Sequence, residues 1–325
     1  MLLYGLRRLI HSIPLLLAVV VAVFLLMEAA PGDPIQAIVG EFPASPAFIE
    51  RITEKYQLDR PVHERLVAYV GNVLKGDLGE SLSYRRSVAS LIWERLPNSV
   101  LLAISGLGFG AIIGVSLGVI AATIRNRYVD TGITVIALTG FAVPVFWLGQ
   151  VLIILFAMKL GWLPSQGMRS LRVPAEGLAL WLSVGAHLIM PMLAVAAREI
   201  GLNARITRAS MRETMNRDYI TTLRALGLSE SRIMWRHGLK NAMIPVVTVV
   251  GYNFGFALAG TTLIETVFAW PGVGRLLYDA VTTRDNVVVV GVFLLTAVLV
   301  VLANLITDMI YAFLDPRIRT ERGQR

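Results

Sequence analysis

The sequence has no cysteine. Disulfides, thiolate metal sites and cysteine nucleophiles are therefore excluded. Charge is scarce too: charged residues fill 16% of the 325 positions, against roughly 25% in soluble proteins. Four histidines, His11, His63, His187 and His237, stand apart, with no HExxH or paired metal spacing. The chain also lacks a GxSxG nucleophile elbow and a Walker-type phosphate loop. No constellation remains on which to build a catalytic or metal site, and no tandem repeat is evident.

What is abundant is apolar length. Hydrophobic residues make up 55% of the chain, and the mean hydropathy is +0.66. Uncharged runs of about 20 residues match the roughly 30 Å hydrocarbon core of a bilayer. The composition predicts an all-α polytopic membrane protein. The formal charge of +8 and the pI near 10 do not point to nucleic acid. Segments 1–12, 125–130, 198–240 and 315–325 hold 17 Lys/Arg and 7 Asp/Glu, while everything else holds 13 and 15. The excess sits in alternate loops, the positive-inside pattern.

Six spans follow. Residues 1–30 form an N-terminal span behind Arg7 and Arg8, read as an uncleaved helix over the rival signal peptide. Residues 31–95 are close to neutral and read as an extracytoplasmic segment. Its helical pieces fall at Ala47–Gln57 and Val62–Leu74, with a turn at Gly76-Asp77-Leu78-Gly79. The core, 96–314, places spans at 99–124, 132–158, 177–197, 242–264 and 286–310. Pro144 should kink the second of these, and His187 and Pro191 lie in the third. Glu265–Asp285 reads as an outside loop. Residues 315–325 form a basic tail, so both termini are expected in the cytoplasm.

Two features stand out. Gly106, Gly110, Gly114 and Gly118 repeat every four residues in one span and predict a small-residue helix-packing seam. The second is Arg198–Lys240, the long basic loop, with its coupling part at 205–240. Arg208–Leu226 has no Gly or Pro and predicts a helix. Gly227 can end it in the left-handed conformation, and Ser229 can N-cap a second helix running toward Pro245.

This elbow carries a resemblance. Asp218-Tyr219-Ile220, Arg224-Ala225-Leu226-Gly227-Leu228-Ser229, Arg236-His237-Gly238-Leu239-Lys240-Asn241-Ala242 and Pro245 resemble the EAA loop of ABC importer permeases, in particular the dipeptide/oligopeptide branch. Other stretches agree in order along nearly the whole chain. They are Pro31-Gly32-Asp33-Pro34, Leu58-Asp59-Arg60-Pro61, Gly76-Asp77-Leu78-Gly79 with Ser81, and Arg95-Leu96-Pro97-Asn98-Ser99. After them come Trp270-Pro271-Gly272-Val273-Gly274-Arg275-Leu276, Arg284-Asp285 and Asp315-Pro316-Arg317. The long segment after the first span resembles the first of the two permease subunits of such systems. Leu223 and Leu226 depart from the Ala and Lys often found there.

The resemblance implies a type I importer permease fold in a bacterial inner membrane, forming half of a pore for peptides or a related solute. The implied partners are a second homologous permease, two ABC ATPase subunits and an extracytoplasmic solute-binding protein. ATP and Mg would bind those ATPases, and no cofactor this chain. Asp218, Leu223, Arg224, Ala225, Leu226, Gly227, Leu228, Arg232 and Arg236 would form the ATPase-coupling elbow. Tyr252 and Asn253 are substrate-pathway candidates. The competing readings are a stand-alone secondary transporter, which predicts inverted repeats and intramembrane ionisable groups, and a membrane-embedded enzyme.

Overall fold

The computed structural model describes residues 2–29, 45–56, 60–81, 83–124, 126–170 and 176–314. The Pro31–Pro34 motif, Leu58-Asp59 and the 315–325 tail lie outside them. The chain divides into two compact units, Met1–Ser99 with Pro271–Leu305, and Val100–Trp270 with Ile306–Arg325.

The first unit begins with α1 (Leu2–Ala29), α2 (Pro46–Tyr56) and α3 (Val62–Leu74). Phe24 of α1 meets Tyr69 of α3 with ring centroids 5.5 Å apart, and Arg65 of α3 donates to the Glu28 carboxylate. A two-stranded antiparallel hairpin follows, β1 (Glu80–Ser81) and β2 (Arg86–Ser87). It leads straight into α4 (Val88–Thr123). The second span's helix thus starts inside the segment expected to be extracytoplasmic, eight residues before position 96, and carries Pro97 within it. The later part of the unit holds α12 (Val273–Thr282) and most of α13 (Asn286–Leu314). Its core joins Val88, Leu91 and Ile92 of α4 to Leu276 and Ala280 of α12 and Val288 of α13. Gly291 permits this approach, since a β-carbon there would lie 2.5 Å from Val88 Cγ1.

Motifs far apart in sequence meet in this unit. The Ser81 hydroxyl donates to Asp285 Oδ2 at 2.6 Å, and the Ser83 amide donates to the same oxygen at 3.2 Å. Asn98 Nδ2 donates to the Pro271 carbonyl at 2.8 Å, and Ser99 Oγ accepts from the Val273 amide at 2.8 Å.

The second unit holds the rest of α4, then α5 (Arg127–Ala142), α6 (Val145–Leu152) and a π-helical stretch, Ile153–Lys159. After them come α7 (Leu178–Met215), α8 (Asp218–Ala225), α9 (Glu230–Arg232), α10 (Leu239–Gly260) and α11 (Thr262–Val267). The kink expected at Pro144 is a full break: the helices on either side diverge by 102°. Pro144 removes an amide donor and restricts Val143 to extended backbone, φ −75 and ψ 128. The 265–285 stretch, expected as a loop, is largely helical through α11 and α12. One core joins Leu102, Met190, Ala194, Ile264, Phe268 and Trp270, and a smaller one joins Val119, Met211 and Ala242.

The glycine seam faces α7. A β-carbon on Gly106, Gly110 or Gly114 would lie 2.6 Å from Val195 Cγ1, 2.6 Å from Glu199 Cβ and 2.8 Å from Asn203 Cβ, respectively. On Gly118 it would lie 2.6 Å from the Ala204 carbonyl oxygen. Only residues without side chains allow two helices this close.

Among the described residues, three helical stretches are long and apolar enough to cross a membrane: Val88–Thr123, Leu178–Met215 and Asn286–Thr307. The pair divided at Pro144 makes a fourth if it is one broken span. Ser12–Leu26 is a shorter apolar stretch.

Candidate functional site

The basic segment Arg198–Lys240 is not a free loop. Helix α7 continues through it to Met215, so the coupling part at 205–240 begins inside a continuous helix. The single helix expected over 208–226 is two. Asn216 caps α7, Arg217 is extended at φ −79 and ψ 147, and α8 starts at Asp218. Asn216 is the weak stop signal that the Gly/Pro reading passed over. Asp218 in the first turn sits well against the positive end of the α8 dipole.

Helix α8 ends at Gly227. The Gly227 amide donates to the Arg224 carbonyl at 2.9 Å and the Leu228 amide to the Leu223 carbonyl at 3.3 Å, with Gly227 at φ +78. This is a complete Schellman closure, whose left-handed position only glycine occupies without strain. Nothing lies within 4 Å of where a Gly227 β-carbon would be. The turn is therefore an open tip.

Beyond the tip, Ser229 occupies the N-cap position of α9, but its side chain makes no capping bond. The second elbow helix does run toward Pro245 and continues past it. It runs from α9 through a π-helical turn, Ile233–Gly238, directly into α10, which holds Pro245 within it.

Arg224 and Glu230 bridge the turn: Nε donates to Oε1 at 2.7 Å. The hydrogen bond from Glu230 raises the Arg224 pKa above its ordinary value. Arg217 is held in the same way by Glu213. Ala225, Leu226, Gly227, Arg232 and Arg236 are exposed, and Leu223 and Leu228 are half-buried. Leu226 is 70% exposed. The opposite side is fixed. Ile220 and Ile233 are fully buried. The Tyr219 hydroxyl accepts from Asn241 Nδ2 at 2.9 Å, tying α8 to the base of α10. Gly238 packs on Met215, whose Sδ would be 2.9 Å from an added β-carbon.

The two substrate-pathway candidates part company. Asn253 Nδ2 donates to Glu199 Oε2 at 3.0 Å, while Tyr252 is exposed next to it. Sequence reasoning missed Glu199, Asn203 and Thr207, which recur every four residues along α7 and lie against the glycine seam. All three are buried, and the Asn203 amide and Thr207 hydroxyl have no hydrogen-bond partner among the described residues. Their period, equal to that of the glycines, was the available signal.

It also missed the Asp130 clasp. Arg208 grips Asp130 through two bonds of 2.7 Å, and Arg212 adds a third at 3.1 Å. The Arg208 hydrogen bond holds the Asp130 carboxyl below its ordinary value of 3.8. His187 is buried, with Nδ1 at 2.7 Å from the Ser183 carbonyl of its own helix. Among the described residues, no group of three or more His, Asp and Glu could hold a metal ion.

Comparison with known proteins gives these features a family. Residues 114–320 match the profile of the binding-protein-dependent transport system inner membrane component. Residues 1–103 match the N-terminal profile of binding-protein-dependent transport system membrane components. A di/tripeptide transport system permease protein of Pseudomonas aeruginosa (strain UCBPP-PA14) is 38% identical, over 97% of this chain and 98% of its own length. A glutathione transport system permease protein of Escherichia coli (strain K12) is 40% identical, over 98% of this chain and 99% of its own. Among solved structures, an inward-facing form of the MetNI methionine ABC transporter matches with TM-score 0.54 and 18% identity. It covers 69% of this chain and 96% of that one, a likeness of fold. The chain belongs to the binding-protein-dependent transport system inner membrane component family, as a multi-pass, non-catalytic permease subunit of an ABC importer.

Proposed function

We propose that this chain is half of the translocation pore of a bacterial importer for short peptides or a related small solute. Both named relatives carry such cargo, a di/tripeptide and glutathione. The other half would be a second, homologous permease. Two ABC ATPase subunits, holding ATP and Mg, would dock from the cytoplasm, and a solute-binding protein would deliver cargo on the other side. Six spans and two cytoplasmic termini in the inner membrane complete this reading. The basic segments 1–12, 125–130, 198–240 and 315–325 support that orientation.

The observation that carries the proposal is the elbow at Gly227. Its tip is exposed and apolar at Ala225 and Leu226, with Arg224, Arg232 and Arg236 exposed in the same segment, while its base is held by Ile220, Ile233 and Tyr219. A tip so displayed on a fixed base can receive a push. The α9–α10 run carries the push into the next span without a loop, and α7 joins α8 through the two-residue turn Asn216-Arg217.

The test has two arms. The tagged chain is extracted in mild detergent and its companions are identified by mass spectrometry. A second permease with one or two ATPase chains is the expected result. Gly227→Asp should then insert normally yet abolish ATP-dependent uptake in sealed vesicles. A chain that emerges alone, or normal uptake by this variant, would overturn the coupling role.

A further inference from the structure

A shallow, partly open groove lies where α5 runs alongside α7. Its walls are mostly apolar: Ile133, Ala137, Leu138 and Phe141 on α5, and Leu202 on α7. Leu138 and Phe141 stay half-exposed, at 50% and 43%. Gly140 and Gly201 bring the two backbones together, as a β-carbon on Gly140 would lie 2.8 Å from the Ala197 carbonyl oxygen.

Two guanidinium groups converge beside this apolar wall. Arg198 and Arg205, two helical turns apart on one face of α7, both point to the Phe141 ring, at 5.8 and 5.7 Å from its centroid. Arg205 also lines the groove. Neither forms an ion pair among the described residues. The contrast with Arg208 is direct: it lines the same groove, but Asp130 neutralises it. Both arginines are exposed, and although Arg198 also feels the charge of the neighbouring Glu199, neither is neutralised as Arg208 is. At the edge of an apolar helix they call for an anion.

From this arrangement we infer a binding site for an anionic phospholipid. Its phosphate lies between Arg198 and Arg205, and an acyl chain follows the Ile133–Leu138–Phe141 wall. The charge selects an acidic headgroup, and the apolar wall selects a lipid over a soluble anion. Basic pockets between spans are the general form of such sites. The site clamps α5 to α7, the helix that leads to the elbow.

The test is native mass spectrometry of the full-length chain in mild detergent, titrated with phosphatidylglycerol or phosphatidylcholine. The wild type should retain phosphatidylglycerol in preference by about 25-fold, given about fivefold for each of the two arginines near an anionic lipid. Arg198→Ala/Arg205→Ala should reduce the preference to within about twofold, whereas Arg232→Ala/Arg236→Ala should leave it intact. Equal retention of both lipids by the wild type, or an undiminished preference in the first double variant, would overturn the site.

Because the arginine variant could fold poorly, a second measurement keeps both arginines. The chain has no cysteine, so Leu138→Cys gives a unique position for a fluorescent label. Phosphatidylglycerol with a nitroxide on its acyl chain should quench that label well beyond the equivalent phosphatidylcholine. Equal quenching, or a label shielded from both lipids by a co-purifying permease, would assign the groove to something other than lipid.

Discussion

The Ser81 hydroxyl donates to the Asp285 carboxylate at 2.6 Å across 204 residues of chain, and both groups are buried. The same carboxylate accepts from the Ser83 amide and, at 3.4 Å, from the Val288 amide in the first turn of α13. One side chain thus closes the hairpin and caps a membrane helix. Ser81→Ala removes the hydroxyl donor to Asp285 and the acceptor of the Tyr84 amide, and should destabilise the protein by about 1–2 kcal/mol. Asp285→Ala also strands the Ser83 and Val288 amides and should cost about 2–4 kcal/mol. Thermal unfolding in detergent ranks the two, and equal losses would contradict the shared role of Asp285.

At Gly227 the structure separates strain from collision. A β-carbon would meet nothing within 4 Å but would sit at φ +78, which costs about 1–2 kcal/mol for most residues. Transport should therefore fall in the order Gly, Asn, Ala, Val, because Asn tolerates the left-handed region and Val does not. Asp also tolerates it, so loss of uptake in Gly227→Asp would report a charge at the docking tip and not a broken turn. Uptake assays on matched amounts of inserted protein test this order.

The Arg224–Glu230 pair is exposed on both sides, at 43% and 66%. Exposed pairs contribute little to stability. Glu230→Gln should leave the melting temperature essentially unchanged. Arg224→Glu should leave it unchanged as well, yet weaken co-purification of the ATPase chains. A large thermal shift in either variant would show that the pair holds the turn together.

The Asp130 clasp gives a pH dependence of fixed sign. Arg208 lowers the Asp130 pKa below 3.8, so the clasp contributes fully above about pH 4 and is lost as pH falls through the lowered value. The stability difference between wild type and Asp130→Asn should be flat from about pH 7 to 5 and shrink below about pH 4. Paired thermal melts over that range measure it, and a difference that grows on acidification would reverse the assignment.

The glycine seam predicts a contrast within one helix. A β-carbon on Gly114 would lie 2.8 Å from the Ile200 carbonyl oxygen, a backbone atom with little room to move. On Gly108 it would meet nothing within 4 Å. Gly114→Ala should destabilise by about 1–3 kcal/mol, while Gly108→Ala should be neutral or slightly stabilising. Thermal melts of the two variants decide it.

By itself the sequence determined the class of molecule and some of the places where its chain turns, Gly227 among them. Uncharged runs of about 20 residues define membrane helices through composition alone, and the asymmetry of Lys and Arg orders the loops between them. Gly227 and the four-residue glycine repeat were legible because a missing β-carbon has local consequences that need no knowledge of the fold. Val62–Leu74 was legible end to end because Pro61 and Gly76 bound it.

The tertiary structure decided everything that depends on a distant partner. No local rule joins Ser81 to Asp285, Asn98 to Pro271 or Asp130 to Arg208, since each bond forms only once helices far apart in the chain pack together. The extension of α7 to Met215 and the merging of α9 with α10 were hidden for the same reason. Polar helices carry no apolar run to mark them, and packing at Met211, Ile233 and Ala242 is what keeps them helical past the membrane.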